Sequence, residues 1–269
     1  MGHRTLTPSL SRRFKSFRFS RRPFYRRTGR YHRAHPVRRS ASVHVVDGRT
    51  VISDAHRYLF VRIPKCANTT ILTTLWLCEN GYRAEDLERF SDDERRDLLR
   101  KQAMKTRFQR PSRLDHHQAA EVLEGYTKCI FVRNPFTRLA SAYLYKFVRG
   151  KGDVGGRLGL GPAPSFGRFC DFLADGGLYV DIHWMPQAHL CPVPTHALDF
   201  VGRMEALGED LDRLTQHLYG VAAPLLTRQH HATQAETHLR ELYGTREIER
   251  VQHLYADDFE AFAYPDTPY

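Results

Sequence analysis

The chain has 269 residues, 41% of them hydrophobic, which is enough for one sizeable core. Its net charge is +11, yet residues 1–40 hold twelve Arg, one Lys and no acid, leaving 28 basic against 30 acidic residues elsewhere. The body is near neutral, so charge gives no support for nucleic-acid binding by the fold itself. No apolar run is long enough for a transmembrane helix, and no apolar stretch follows the basic start as in a secretory signal. Five Cys, none in a Cys-x-x-Cys pair, argue against a disulfide scaffold and a structural zinc site.

Residues 1–42 read as a basic, disordered arm, rich in Arg, Ser and aromatics without apolar periodicity. A solvated tail, contact with an anionic membrane surface or nucleic acid, and a targeting segment all fit it. Residues 43–269 read as one domain. Within it, residues 58–63 (YLFVRI) form a short apolar run ended by Pro64, which predicts a buried strand. Asn68, Thr69 and Thr70 then precede Ile71, Leu72, Leu75, Trp76 and Leu77 at helical spacing. Residues 83–110 are charged and predict helix. Cys129-Ile130-Phe131-Val132 predicts a second buried strand, ended by Arg133-Asn134-Pro135 and followed by a helix over 136–148. Residues 150–167 contain seven Gly and two Pro and predict a mobile loop. Residues 199–202 predict a third strand, a helix follows from about 210, and one last helix spans 245–262. Strands alternating with helices predict an α/β fold with a parallel sheet.

Two loops carry chemistry. A strand, a turn and a helix N-terminus make an anion site, because free N–H groups and the helix dipole both favour negative charge. Lys65 adds a mobile cation there, and Thr69 and Thr70 add hydroxyl donors. An ordinary helix after a strand has the same outline. The G-x-x-x-x-G-K-[ST] pattern of nucleotide triphosphatases is absent. In the second loop Arg133 ends a strand, while Arg138 and Ser141 share a helix face. Guanidinium forks suit bidentate phosphate binding, and paired surface arginines making salt bridges are the plain alternative.

Together the loops resemble the paired signatures of the carbohydrate sulfotransferases. Pro64-Lys65-Cys66-Ala67-Asn68-Thr69-Thr70 is similar to the loop that binds the 5′-phosphosulfate in that family. Arg133, Pro135, Arg138, Ser141 and Tyr143 are similar to its 3′-phosphate motif. His183-Trp184-Met185-Pro186-Gln187 resembles a loop of the Golgi chondroitin and dermatan enzymes. Residues 199–210 and 255–264 resemble the family's later segments. The resemblance runs from about 58 to 264 and implies a P-loop-kinase-like three-layer fold with a central parallel sheet. It implies transfer of a sulfuryl group from 3′-phosphoadenosine 5′-phosphosulfate to a glycan hydroxyl, with no metal required. Lys65 would stabilise the leaving phosphate, and residues 65–70 with Arg133, Arg138 and Ser141 would hold the donor. His116 or His117 would be the base, and His183, Trp184 and Gln187 would meet the acceptor. A P-loop-type kinase and a non-catalytic tethered binder are the competing readings. The expected location is cytoplasmic, peripheral at a membrane face through the arm, with the Golgi lumen as the alternative.

Overall fold

The computed structural model describes residues 22–34, 43–94, 108–150, 153–224 and 238–268. Four strands form one sheet in the order β1-β2-β3-β4: Thr50–Ser53, Tyr58–Val61, Thr127–Val132 and Phe200–Arg203. β2, β3 and β4 are parallel, with Phe60 beside Cys129 and Ile130 beside Val201. β1 runs antiparallel to β2, so the sheet is mixed rather than wholly parallel. A tight turn suffices to join antiparallel neighbours, whereas β2 and β3 need a long crossover.

In chain order the helices are α1 (Pro23–Ala34), α2 (Val43–Arg49), α3 (Asn68–Glu79), α4 (His116–Gly125), α5 (Pro135–Tyr143) and α6 (Val154–Arg157). They continue as α7 (Phe166–Ala174), α8 (Leu207–Tyr219), α9 (Leu239–Leu242), α10 (Thr245–Leu254) and α11 (Ala256–Phe262). Side chains alternate across the central strands. Leu59, Val61, Ile130 and Val132 face α4, α5 and α7 through Val122, Leu139 and Phe169. Tyr58, Phe60, Cys129 and Phe131 face α3 and α8 through Ile71, Leu75, Leu211 and Leu214. Helices therefore cover both faces, and the continuous apolar character of β2 and β3 follows from burial on both sides. Gly202 is required where β4 passes β3, because a Cβ there would stand 2.5 Å from the Phe131 ring. All five Cys are free and buried, as small hydrophobes.

Several expectations need correction. The arm is not loose throughout: α1 buries Phe24 and Tyr25, and Tyr25 Oη donates to Asp47 (3.0 Å). Two buried aromatics, adjacent in sequence, give no period to read. Residues 1–21 and 35–42, with the expected membrane contact, lie outside the described residues. Ala84–Arg89 is 3-10 helix, and 95–107 lie outside the description. The predicted last helix is two, α10 and α11, broken at Tyr255 (φ −115°, ψ 21°), whose hydroxyl bonds Trp184 O. The Gly-rich segment carries α6 and is tied down where Tyr143 Oη donates to Pro164 O (2.8 Å).

Candidate active site

Both candidate loops lie where parallel strands end, the usual place for a ligand in an open α/β sheet. After β2 the chain turns through Lys65 (φ 70°) and Ala67 (φ 46°) before entering α3. Left-handed backbone at a non-glycine residue costs about 1–3 kcal/mol and persists only where its surroundings impose it. No side chain caps α3. Asn68 Oδ1 is buried without a partner among the described residues. A turn leading into the positive end of a helix has the form of an anion site.

The second loop imposes that strain. Arg133 Nη1 donates to Lys65 O (3.5 Å) and its Nε to Thr137 Oγ1 (3.0 Å). Arg138 Nε donates to Pro64 O (3.1 Å), Nη1 to Met185 O (2.9 Å) and Nη2 to Ile182 O (3.2 Å). Asn134 caps α5 through Phe136 N–H (2.9 Å), and its own N–H is held by Glu205 (2.8 Å). Ser141 lies on α5, buried, two turns past Arg133. Thr69 and Thr70 stand half-buried on the first turn of α3.

Three residues expected to touch ligand are buried and bonded within the protein. Arg138 is 1% exposed and donates to three carbonyls, one of them Pro64 O beside Lys65. Gln187 is fully buried: its Oε1 accepts from Arg133 N–H (2.9 Å) and Cys66 Sγ (3.4 Å), and its Nε2 donates to Arg133 O (2.8 Å). Asp258 holds Gln187 in turn, accepting from its N–H (2.8 Å). Burial raises the Asp258 carboxyl, while nearby Arg138 opposes that. Trp184 is 1% exposed and donates to Gly177 O (3.0 Å) from within the aromatic core. Cys66 is buried, and burial pushes its thiol up to about 12, which disfavours the thiolate.

The histidines separate as well. His116 and His117 are exposed on the first turn of α4, and no described contact joins them to the Lys65 loop. His183 belongs to a cluster that does reach it. Lys65 Nζ sits 4.1 Å from the Tyr145 ring centre, and that ring stacks on His183 (5.8 Å, 25°). Nδ1 of His183 donates to Asp181 Oδ1 (2.6 Å), and Lys146 Nζ donates to Asp181 Oδ2 (2.8 Å). Burial pushes the Asp181 carboxyl up, but the hydrogen bonds from His183 and Lys146 outweigh it and hold the group well below the usual range. Tyr145 and Lys146 come from a π turn, Leu144–Val148, that ends α5. Tyr145, Lys146 and Asp181 escaped the sequence reading. An Asp-x-His pair at 181 and 183 was the only local signal, because the rest depends on the π turn. The loop 228–233 lies outside the described residues. Among the described residues no group of His, Cys, Asp and Glu is arranged to hold a metal.

Fold and site thus define a mixed α/β protein with a strained strand-to-helix loop, bearing Lys65, at the carboxyl edge of its sheet. The sulfotransferase family model matches residues 48–265, and the chain belongs to that family. Carbohydrate sulfotransferase 14 of Mus musculus is 30% identical over 237 residues, covering 80% of this chain and 60% of its own length. Carbohydrate sulfotransferase 12 of Xenopus laevis is 24% identical over 250 residues, with the same coverages. Carbohydrate sulfotransferase 10 of Danio rerio is 28% identical over 254 residues, covering 81% and 66%. The chain thus spans about 60% of the length of the first two relatives. No solved structure gives a significant match. These relatives overturn the expected cytoplasmic location: they are vertebrate carbohydrate sulfotransferases, the group that the resemblance sets in the Golgi. Among the described residues no helix is long and apolar enough to cross a membrane.

Proposed function

We propose that the chain transfers a sulfuryl group from 3′-phosphoadenosine 5′-phosphosulfate to a hydroxyl of a glycan. The observation that carries this is the strained, uncapped turn from Lys65 to Asn68, held by Arg133 and Arg138 at the end of β2. We read residues 43–269 as one catalytic domain, with α1 packed on it, of P-loop-kinase-like three-layer form. Helices on both faces of the β2-β3-β4 sheet support that form.

In this reading Lys65, the first N–H groups of α3, Thr69 and Thr70 stabilise the negative charge that a leaving phosphate gains in a loose, in-line transition state. Residues 65–70 hold the 5′ end of the donor, and Arg133 with Ser141 holds the 3′-phosphate. Arg138 fixes the loop by its backbone. The base is His183, with His116 or His117 as the alternative. Two features support His183: the stacking through Tyr145 toward Lys65, and the Asp181 bond, which fixes Nδ1 as the protonated nitrogen and leaves Nε2 to accept a proton. The reading requires no metal, because the donor already carries an activated sulfate.

Calorimetry with 3′-phosphoadenosine 5′-phosphate tests the donor half. Wild type should bind it, and Arg133→Ala should weaken binding about tenfold or more, as loss of a charge-assisted pair would. Unchanged affinity in Arg133→Ala would remove the 3′-phosphate role. Stabilisation by ATP with magnesium, but not by this nucleotide, would favour a kinase instead.

A further inference from the structure

Two consecutive residues of the π turn that ends α5 each hold a side chain of the candidate site. The turn is closed where Arg149 N–H donates to Leu144 O (2.8 Å), a bond that spans five positions. Single π turns recur at functional sites, where they redirect the residues they carry. Tyr143 and Phe147 pack on Phe169 within the aromatic core. Tyr145, between them in sequence, stands outside that core at 50% exposure, the one exposed aromatic among the described residues. A half-exposed ring contributes little to folding, so its removal can separate function from stability.

The Tyr145 ring meets two of the groups proposed to react. Lys65 Nζ lies 4.1 Å from its centre, inside the range of a cation–π contact. The His183 imidazole stacks on it, with centres 5.8 Å apart and planes at 25°. Both contacts are made by the ring and neither by the hydroxyl. Lys146, the next residue, donates to Asp181 Oδ2 (2.8 Å). Asp181 Oδ1 accepts from His183 Nδ1 (2.6 Å) and from His183 N–H (2.9 Å). His183 is therefore held at its edge by Asp181 and across its face by Tyr145. Lys65 comes from a different segment, the loop after β2, and meets the same ring. A lysine stem is flexible, and ordering its ammonium beforehand removes that cost from the reaction step.

We propose that Tyr145 is a positioning residue for sulfuryl transfer, its ring fixing the Lys65 ammonium and the His183 imidazole relative to each other across the site. The proposal rests on the transfer reading of the previous section, with His183 as the base.

The test compares Tyr145→Leu and Tyr145→Phe with wild type in the full chain. Three quantities are read. The first is kcat for transfer of labelled sulfate from 3′-phosphoadenosine 5′-phosphosulfate to desulfated chondroitin and dermatan. The second is calorimetric affinity for 3′-phosphoadenosine 5′-phosphate. The third is the rate at which acetic anhydride modifies Lys65 in the donor-free protein, read by mass spectrometry. Tyr145→Leu should lower kcat about tenfold while nucleotide affinity changes by less than about threefold. Its urea midpoint should equal that of wild type, and its Lys65 should be acetylated about threefold faster. Tyr145→Phe keeps the ring and should restore most of the rate together with the slow acetylation. Equal kcat in wild type and Tyr145→Leu, or a Phe variant as slow as the Leu variant, would overturn the proposal. A rate loss matched by a fall in urea midpoint or in nucleotide affinity would also overturn it, by making Tyr145 a folding or a donor-binding residue. Equal acetylation of Lys65 in all three proteins would show that the ring does not hold the ammonium, and would overturn it too. Wild type that labels neither glycan would refute the transfer reading, and the acetylation rates would still decide the contact on their own.

Discussion

Arg133 and Arg138 look equivalent as letters, yet packing gives them different work. Arg138 is enclosed, with carbonyls of Pro64, Ile182 and Met185 around it. Arg138→Met should therefore lower stability by about 3–5 kcal/mol, the cost of breaking a buried charged network, read as a fall in urea midpoint. Stability within 1 kcal/mol of wild type would mean that the carbonyl clamp contributes little. Asp181 offers a pH test. Its carboxyl is depressed in the folded chain, so the unfolded chain binds more protons in acid. The stabilisation is full above the unfolded value of about 4 and is lost as pH falls toward the folded value. Asp181→Asn should flatten the decline of stability between about pH 4 and pH 2, measured by denaturant titration. A slope equal to that of wild type would show that the His183 and Lys146 bonds do not persist in solution.

Elements were legible in the sequence where local pattern and burial agree. The run 58–63 reads as a strand because both faces of β2 are covered, and Pro64 ends it where the loop must turn. Pro135 marked the start of α5 for the same local reason. Lys65, Thr69, Thr70, Arg133 and Ser141 were legible as motif residues. The burial of Arg138, Trp184 and Gln187 was not, because the partners of Arg138 and Gln187 lie 44 to 121 positions away. β1 was missed because four residues, TVIS, give no period to count. α1 was missed because its apolar residues are few and its charge suggested a solvated arm. Phe24→Ala should cost about 3–5 kcal/mol if α1 is part of the folded domain. Unchanged thermal stability in that variant would return residues 23–34 to a loose arm.

At the scale of the whole molecule, two halves of the chain meet at one edge of the sheet. Residues 62–70 provide the anion loop, and residues 133–146 and 181–187 brace it from α5 and the segment after α7. The brace runs on through Gln187 to Asp258 in α11, so the last helix supports the first loop. This long-range closure explains how Lys65 and Ala67 stay in left-handed backbone without glycine. It also gives the site one point of failure, the Lys65 ammonium, on which the proposed chemistry converges.

The decisive measurement is transfer of labelled sulfate from 3′-phosphoadenosine 5′-phosphosulfate to a panel of glycans, by wild type and Lys65→Ala side by side. Wild type should label at least one glycan, and Lys65→Ala should retain the fold but lose about 10²–10³ of the rate. Equal transfer by both proteins would contradict the assignment of Lys65.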